Sequence, residues 1–282
     1  MALKLMYITN RPEVAKIAEA AGVDRIFIDM EYIGKSARQG GMDTVQCHHT
    51  PDDVRAVKSV LSSAEVMVRV NPIHERSEEY SSSAEEIDEA IAAGADIIML
   101  PYFKTAAEVK EFVKLVGGRA RTLPLVETPE AKEAIDEILE VEGIDEIFVG
   151  LNDLSLGYGK KFMFELLSDG TVELLADKFR AAGLDFGFGG IAALGRGMLP
   201  AERVIREHYR LGSGCAILSR SFCNTSLITE LSEIERIFTE GLADIRRLEA
   251  ECAEKIATSD QEYFNDNRRE LCSAVAMIVR GN

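Results

Sequence analysis

The stretch LKLMYITNRPEVAKIAEAAGVDRIFI, residues 3–28, contains the unit that the rest of the chain repeats. The apolar run Leu3–Ile8 precedes a segment of helical periodicity over Pro12–Ala21, and a second apolar run, Arg25–Ile28, follows. Short runs rich in Val, Ile and Phe indicate buried strands, and Gly22 stands where a helix would end. The stretch therefore predicts a strand, a helix and a second strand.

The same alternation continues along the chain. Further apolar runs lie at Val66–Val70, Ile97–Leu100, Thr122–Val126, Glu146–Val149, Phe186–Phe188 and Cys215–Leu218. Helical patterns separate them, beginning after the capping residue Thr50 and covering Glu85–Ala93, Ala106–Val116, Pro129–Leu139, Val172–Ala182, Pro200–Tyr209 and a long segment after Thr229. Eight strands, each followed by a helix, predict an α/β fold of the (β/α)8 barrel type. An open dinucleotide-binding sheet is disfavoured because no glycine-rich turn follows the first strand.

Two segments fall outside the eightfold repeat. Residues Tyr32–His49 form an expanded loop after the second strand, and Asp260–Val279 predicts an additional helix. The apolar residues of this helix share one face, a pattern that indicates burial against another surface. We therefore divide the chain into a catalytic barrel, residues 1–258, and a C-terminal helix, residues 259–282, expected to contact a neighbouring subunit in a homo-oligomer.

Composition excludes several classes of protein. The 282 residues carry a formal net charge of −16, which disfavours binding to nucleic acid or to anionic membranes. The five cysteines are odd in number and form no CxxC pair, which favours a reducing compartment. The N-terminus does not resemble a signal peptide, and no apolar run is long enough to span a membrane. We expect a cytoplasmic protein.

Active sites of such barrels lie at the carboxyl ends of the strands. The polar residues or glycines that follow the apolar runs are Asn10 and Arg11; Asp29 and Glu31; Arg69 and Asn71; Glu127 and Thr128; Asn152, Asp153 and Ser155; Gly189 and Gly190; and Ser219 and Arg220. Carboxylates after strands two, five and six should therefore lie close to an arginine after strand three, at the carboxyl end of the barrel.

Glu127 and Asp153 follow successive strands, so their carboxylates are expected to be neighbours. Two like charges at this distance repel each other unless a cation lies between them, and two carboxylates suit a hard divalent ion such as Mg²⁺. The alternative is that one or both side chains cap the helix that follows.

The motifs Val126-Glu127-Thr128-Pro129 and Gly150-Leu151-Asn152-Asp153-Leu154 resemble the HpcH/HpaI aldolase and citrate lyase β-subunit family. The segments Phe27–Glu31 and Val68–Pro72 match the same pattern in order and spacing, and the resemblance covers about residues 5–225.

The resemblance implies a metal-dependent carbon–carbon lyase. It implies that Glu127 and Asp153 hold Mg²⁺ or Mn²⁺, that Arg69 contacts the oxygen that becomes an enolate, and that the backbone N–H groups of Leu151, Asn152 and Asp153 bind the substrate carboxylate. A divalent ion acting as a Lewis acid would stabilise that enolate together with Arg69. Asp29 is expected to support the site from behind.

The sequence departs from the aldolases of this family at two positions. Tyr32 stands where they have the histidine that serves as general base, and Leu125 stands where they have a glutamine. A phenol is a poor base near neutral pH. The candidate bases are therefore His49, which follows His48 in the expanded loop, His74 and Glu31; the two loop histidines also fit a purely solvated role.

We therefore predict a divalent-metal-dependent lyase of the class II aldolase type. It would act on a small oxo acid, with pyruvate as one fragment and with an aldehyde or a CoA thioester as a further partner. The alternatives are an acyl-CoA lyase or thioesterase of the citrate lyase β type, and a non-catalytic ligand-binding barrel. The glycines Gly187, Gly189 and Gly190 suggest either a phosphate cradle or close backbone packing.

Overall fold

The computed structural model describes residues 2–34 and 48–281, where eight parallel strands form a closed barrel in chain order. The strands are β1 (Lys4–Ile8), β2 (Arg25–Asp29), β3 (Glu65–Arg69), β4 (Ile97–Leu100), β5 (Arg121–Val126), β6 (Glu146–Val149), β7 (Asp185–Ile191) and β8 (Cys215–Leu218). Pairing of β8 with β1 closes the barrel. The predicted (β/α)8 architecture is confirmed.

The helices surround this barrel. They are α1 (Pro12–Ala21), α2 (Pro51–Lys58), α3 (Ser83–Ala93), α4 (Ala106–Val116), α5 (Pro129–Glu133), α6 (Ile135–Leu139), α7 (Leu151–Gly157), α8 (Glu165–Ser168), α9 (Thr171–Ala181), α10 (Ala201–Leu211), α11 (Leu231–Ala257) and α12 (Gln261–Gly281). Local sequence fixes several ends. Thr50 and Asp53 form a capping box at the start of α2, and Gly22 ends α1 in the left-handed conformation that glycine adopts without strain.

The residues that point into the barrel change character along its axis. On β2 the inward series is Arg25, Phe27 and Asp29, which pairs in register with Glu65, Met67 and Arg69 on β3. Side chains in the middle of the barrel form an apolar cluster of Met6, Phe27, Met67, Ile97, Met99, Leu123, Leu125, Phe148 and Cys215. This cluster separates a charged layer at the amino end of the strands from another at the carboxyl end.

The charged layer at the amino end is a closed network. Arg25 is fully buried and donates two hydrogen bonds to the carboxylate of Glu146, at 2.6 and 2.7 Å, and one to Glu65. Arg121 bonds to the same two glutamates from the other side. Two guanidinium groups and two carboxylates thus satisfy one another at the bottom of the barrel.

The contacts of the C-terminal helix differ from those expected from the sequence. The apolar face of α12, with Phe264, Leu271 and Val275, is buried, and the helix packs against α10 and α8 of its own chain. The stripe therefore needs no neighbouring subunit to cover it, which corrects the reasoning that assigned it to an oligomer contact. The homo-oligomer itself stays a prediction.

The other differences from the sequence-based elements are local. The helix predicted over Pro129–Leu139 is interrupted at Ala134, and α7 and α8 occupy a region expected to be a loop. β7 extends to Ile191, beyond the predicted Phe188, because its glycines continue the ladder with β8. Most of the expanded loop, with Cys47, lies outside the described residues. Among the described helices, none combines the length and apolar character that crossing a membrane requires.

Candidate active site

Arg69, Glu127 and Asp153 line one cavity of about 240 Å³ at the carboxyl end of the barrel. The complete lining is Phe27, Arg69, Met99, Leu125, Glu127, Phe148, Gly150, Leu151, Asn152, Asp153, Met163, Gly189, Gly190, Ile217 and Ser219. The predicted convergence of polar strand-end residues on one mouth is therefore present for these three side chains and for the segment Leu151–Asp153.

Glu127 is buried in the wall of this cavity, where its Oε1 accepts a hydrogen bond of 2.9 Å from the Tyr102 backbone N–H. Burial raises the pKa of Glu127 to about 8. The negative charges of Glu31 and Asp153 also raise this pKa, whereas the charge of Arg69 and the bond from Tyr102 lower it. The neighbouring Thr128, not Glu127, caps α5. The alternative role of Glu127 as a helix cap is therefore wrong, and its carboxylate lines the cavity.

Tyr102 was not singled out from the sequence. It has a φ of 50°, in the left-handed region that residues other than glycine seldom adopt. Such strain persists where surrounding structure imposes it, and it concentrates at functional sites. Here it aims the Tyr102 N–H at Glu127. No residue type in the stretch after β4 signals this conformation.

Arg69 is the last residue of β3 and lines the same cavity. Its Nε and Nη2 donate hydrogen bonds of 2.8 Å to the two carboxylate oxygens of Asp29, and Nε lies 3.4 Å from Glu31 Oε2. Burial lowers the pKa of Arg69, but the charges of Asp29 and Glu31 hold it well above its ordinary value. Asp29 therefore supports the guanidinium from behind, as predicted, and among the described residues Nη1 is left as a donor.

Asp153 occupies the third position of α7, which begins at Leu151 directly after Gly150. Gly150 allows this helix to approach Glu127: a Cβ at Gly150 would lie 2.8 Å from Glu127 Cβ and 2.9 Å from its Oε2. A side chain at Gly150 would therefore displace Glu127. The start of α7 carries no side-chain cap, and its residues Leu151 and Asn152 line the cavity.

The donor set fits a divalent cation. Glu127 and Asp153 bring carboxylate oxygens to one cavity, and the negative charge of Asp153 contributes to the raised pKa of Glu127. In the described part of the chain, no group of three or more His, Cys, Asp or Glu residues is arranged to hold a metal. A two-carboxylate site that leaves positions for water and substrate oxygens is typical of Mg²⁺.

The predicted base candidates do not line the cavity: Glu31 and His49 lie at the end of β2, and His74 lies in the loop after β3. Glu31 is buried and paired with Arg69. His49 is also buried, which overturns the solvated interpretation for this residue, and its Nδ1 accepts a hydrogen bond of 3.0 Å from the Asp29 backbone N–H. His48 is exposed. Both ring nitrogens of His74 lie 2.7 Å from carbonyl oxygens of its own loop.

Tyr32 is not a substitute base. Burial and the charge of Glu86 raise the pKa of Tyr32 above its ordinary value, so the phenol stays protonated near neutral pH. Its backbone N–H, like that of Ile33, donates to Asn71 Oδ1, at 2.9 and 2.8 Å. The start of the expanded loop is thus held by Asn71.

Glu86 on α3 is a residue that the sequence did not reveal. It is buried and accepts hydrogen bonds from the backbone N–H of Asn71 and, at 2.7 Å, from its side-chain amide. Burial raises the pKa of Glu86 to about 7 although these bonds lower it. Only the amphipathic pattern of α3, with an acidic residue on its inner face, could have indicated it.

The glycines of β7 differ from one another. A Cβ at Gly187 would lie 2.4 Å from Cys215, and one at Gly189 would lie 2.7 Å from Leu151, so these two glycines serve close packing. A Cβ at Gly190 would meet Ile217 and Ser219 only at 3.5 Å. Gly190 therefore leaves open space in the cavity, and none of the three glycines carries the phosphate interpretation.

A hydroxypyruvate/pyruvate aldolase of Roseovarius nubinhibens is 25% identical over 161 residues, 52% of this chain and 61% of the aldolase. A pyruvate kinase of Methylorubrum extorquens is 34% identical over 71 residues, 25% of this chain and 14% of the kinase. The chain thus matches less than two thirds of the length of either relative.

Solved structures show the same fold. An HpcH/HpaI aldolase/citrate lyase family protein of Burkholderia cenocepacia superimposes with a TM-score of 0.60 and 16% identity, covering 83% of this chain and 95% of that one. The sequence profile of the HpcH/HpaI aldolase/citrate lyase family matches residues 4–164, more than half of the chain. With the fold and the shared motifs, this match shows that the chain belongs to the HpcH/HpaI aldolase/citrate lyase family.

Proposed function

We propose that this protein is a divalent-metal-dependent carbon–carbon lyase that cleaves or forms a small 2-oxo acid, with pyruvate or a close analogue as one fragment. The observation that carries the proposal is the meeting of Arg69, Glu127 and Asp153 in one small cavity. The similarity to a hydroxypyruvate/pyruvate aldolase supports an oxo acid of this kind.

The reaction balances as an aldol cleavage. The C3–C4 bond of a 4-hydroxy-2-oxo acid breaks, its electron pair stays on C3 as the enolate, and the C4 hydroxyl loses a proton to give an aldehyde. A proton added at C3 then completes the 2-oxo acid. An ion held by Glu127 and Asp153 supplies Lewis-acid stabilisation of negative charge when it is bound.

The chain's own residues orient the substrate. Arg69, fixed in position by Asp29, donates from Nη1 to the oxygen that gains charge as the enolate forms. Leu151, Asn152 and Asp153 border the same cavity, and the substrate carboxylate is assigned to this segment. Leu151 and the apolar side chains of the cavity exclude water from the reacting carbon.

His49 has a structural role in this proposal. Because Nδ1 accepts a hydrogen bond from the Asp29 backbone N–H, the neutral ring carries its own proton on Nε2. Taking up a second proton at Nδ1 would break the bond to Asp29. We therefore assign His49 to holding the end of β2, and through it Asp29 and Arg69.

The test is a screen for 2-oxo acid release from 4-hydroxy-2-oxo acids, with and without Mg²⁺ or Mn²⁺. We expect turnover only with metal, and loss of it in Asp153→Asn but not in Asp136→Asn, a control at an exposed position. Turnover of CoA thioesters alone would favour the acyl-CoA lyase alternative. Absence of turnover on both substrate classes would favour a ligand-binding barrel.

A further inference from the structure

The active-site cavity is lined by both apolar and polar side chains, and the apolar ones predominate. Its ionisable side chains, Arg69, Glu127 and Asp153, come from the ends of β3, β5 and β6. The rest of the lining contains Phe27, Met99, Leu125, Phe148, Met163 and Ile217, which we call the apolar wall. Four of these side chains belong to the apolar cluster in the middle of the barrel, which therefore faces the cavity.

The apolar wall begins beside the ionisable groups. Leu125 Cδ1 and Glu127 Oε2 lie 3.2 and 2.9 Å from the position that a Cβ on Gly150 would occupy, so the methyl and the carboxylate are neighbours. Arg69 lies over the ring of Phe27, with its Cζ 5.5 Å from the centroid. A ligand whose polar end contacts Glu127 and Arg69 therefore places its adjoining atoms in contact with the apolar side chains of the wall.

The cavity also has room in the direction of β7 and β8. Gly190 has no side chain, and its surroundings would accept a Cβ at 3.5 Å without a clash. Its φ lies outside the left-handed region, so the backbone does not require glycine. The missing side chain thus leaves open the space next to Ile217 and Ser219 rather than relieving strain.

We propose that the substrate is a 2-oxo acid with an apolar carbon chain beyond its oxo group, packed on Leu125, Phe148 and Ile217. This inference rests on the proposed function and specifies its substrate class. A hydroxyl or a second carboxylate packed on Leu125, Phe148 and Ile217 would lose hydrogen bonds to water, and these three side chains offer it no replacement partner. An alkyl group gains by leaving water, by about fourfold in affinity per methylene.

The test compares ligands of matched size by calorimetry at a fixed Mg²⁺ concentration. We expect 2-oxobutanoate to bind more tightly than pyruvate, by about fourfold, and more tightly than the isosteric hydroxypyruvate, by roughly tenfold. Equal or tighter binding of hydroxypyruvate would overturn the inference and leave the proposed function standing. Binding of none of the three would overturn the proposed function instead.

Two variants probe the wall itself. Leu125→Gln should reduce the preference for 2-oxobutanoate over hydroxypyruvate, whereas Leu174→Gln, at an exposed position, should not change it. Gly190→Ala should weaken binding of 2-oxopentanoate more than binding of pyruvate. Thermal unfolding would show that Gly190→Ala is folded. If this variant bound 2-oxopentanoate as tightly as the native protein does, the assignment of the substrate's alkyl chain to this space would be wrong.

Discussion

At the amino end of the barrel Glu65 contacts the guanidinium groups of both Arg25 and Arg121, whereas at the carboxyl end Glu127 is buried near the negative charges of Glu31 and Asp153. Burial raises the pKa of Glu65, but the bonds and charges of the two arginines outweigh it, and the pKa is below its ordinary value. The pKa of Glu127 is raised to about 8. The carboxylates of one end are neutralised by arginines of the same network, and those of the other end are the ones to which we assign a cation.

The pKa values of Glu65 and Glu127 differ because the strands supply different charged partners at the two ends of the barrel. Arg25 and Arg121 stand at the first positions of β2 and β5, and Glu65 and Glu146 at those of β3 and β6, so opposite charges meet at one end of the barrel. Arg25 and Glu65 are direct register partners. At the other end, successive strands contribute carboxylates. Perturbed carboxyl groups of this kind are characteristic of functional sites.

The largest effect on stability is expected at the amino end. Glu146→Gln leaves the fully buried Arg25 without its main carboxylate partner, at a cost of about 3–5 kcal/mol of unfolding free energy. Denaturant titration measures this loss. Because the site is remote, metal binding in the folded variant should be unchanged, and a variant as stable as the native protein would contradict the role given to this network.

Arg69→Lys tests the carboxyl end. Lysine keeps the charge but lacks the planar fork that bonds to both oxygens of Asp29 and still leaves a donor for substrate. We expect the protein to fold and bind metal, with kcat lower by about 10²–10³. Steady-state kinetics checks this, and near-native turnover would reduce Arg69 to a counter-ion.

Glu86→Gln tests whether Glu86, through Asn71, stabilises the loop after β2. The measurement is the pH dependence of the unfolding free energy. The folded-state pKa of Glu86, about 7, lies above the ordinary value, so its contribution to stability is complete below about pH 4.5 and is lost as pH rises through 7. The stability of the native protein relative to Glu86→Gln should therefore fall by about 1–3 kcal/mol over this window. Glu89→Gln, at an exposed position of the same helix, should show no such change.

The smallest effect is expected for His49→Asn. An asparagine can still place an acceptor near the Asp29 N–H, while it removes the titratable ring. If His49 only holds β2, the acidic limb of the kcat/KM pH profile keeps its position. Disappearance of that limb near pH 6–7 would restore His49 as the general base.

The sequence was sufficient for the fold, because every strand is a short apolar run bounded by turn residues and each helix has an apolar face. It also placed Arg69, Glu127 and Asp153 at one mouth, since parallel strands present their carboxyl ends together. It could not reveal Tyr102, whose conformation is imposed by its surroundings, or the bond between Asn71 and Glu86, which joins residues 15 positions apart. The network at the amino end did leave a signal, in charged residues at the first positions of four strands.

The central claim is that the charged groups at the carboxyl end form a divalent-metal site, and calorimetric titration with Mn²⁺ tests it most directly. The native protein and Glu130→Gln, a control at an exposed glutamate of α5, should bind one ion with equal affinity. Glu127→Gln should bind at least about 100-fold more weakly, with its fold intact. Native affinity in Glu127→Gln would contradict the account.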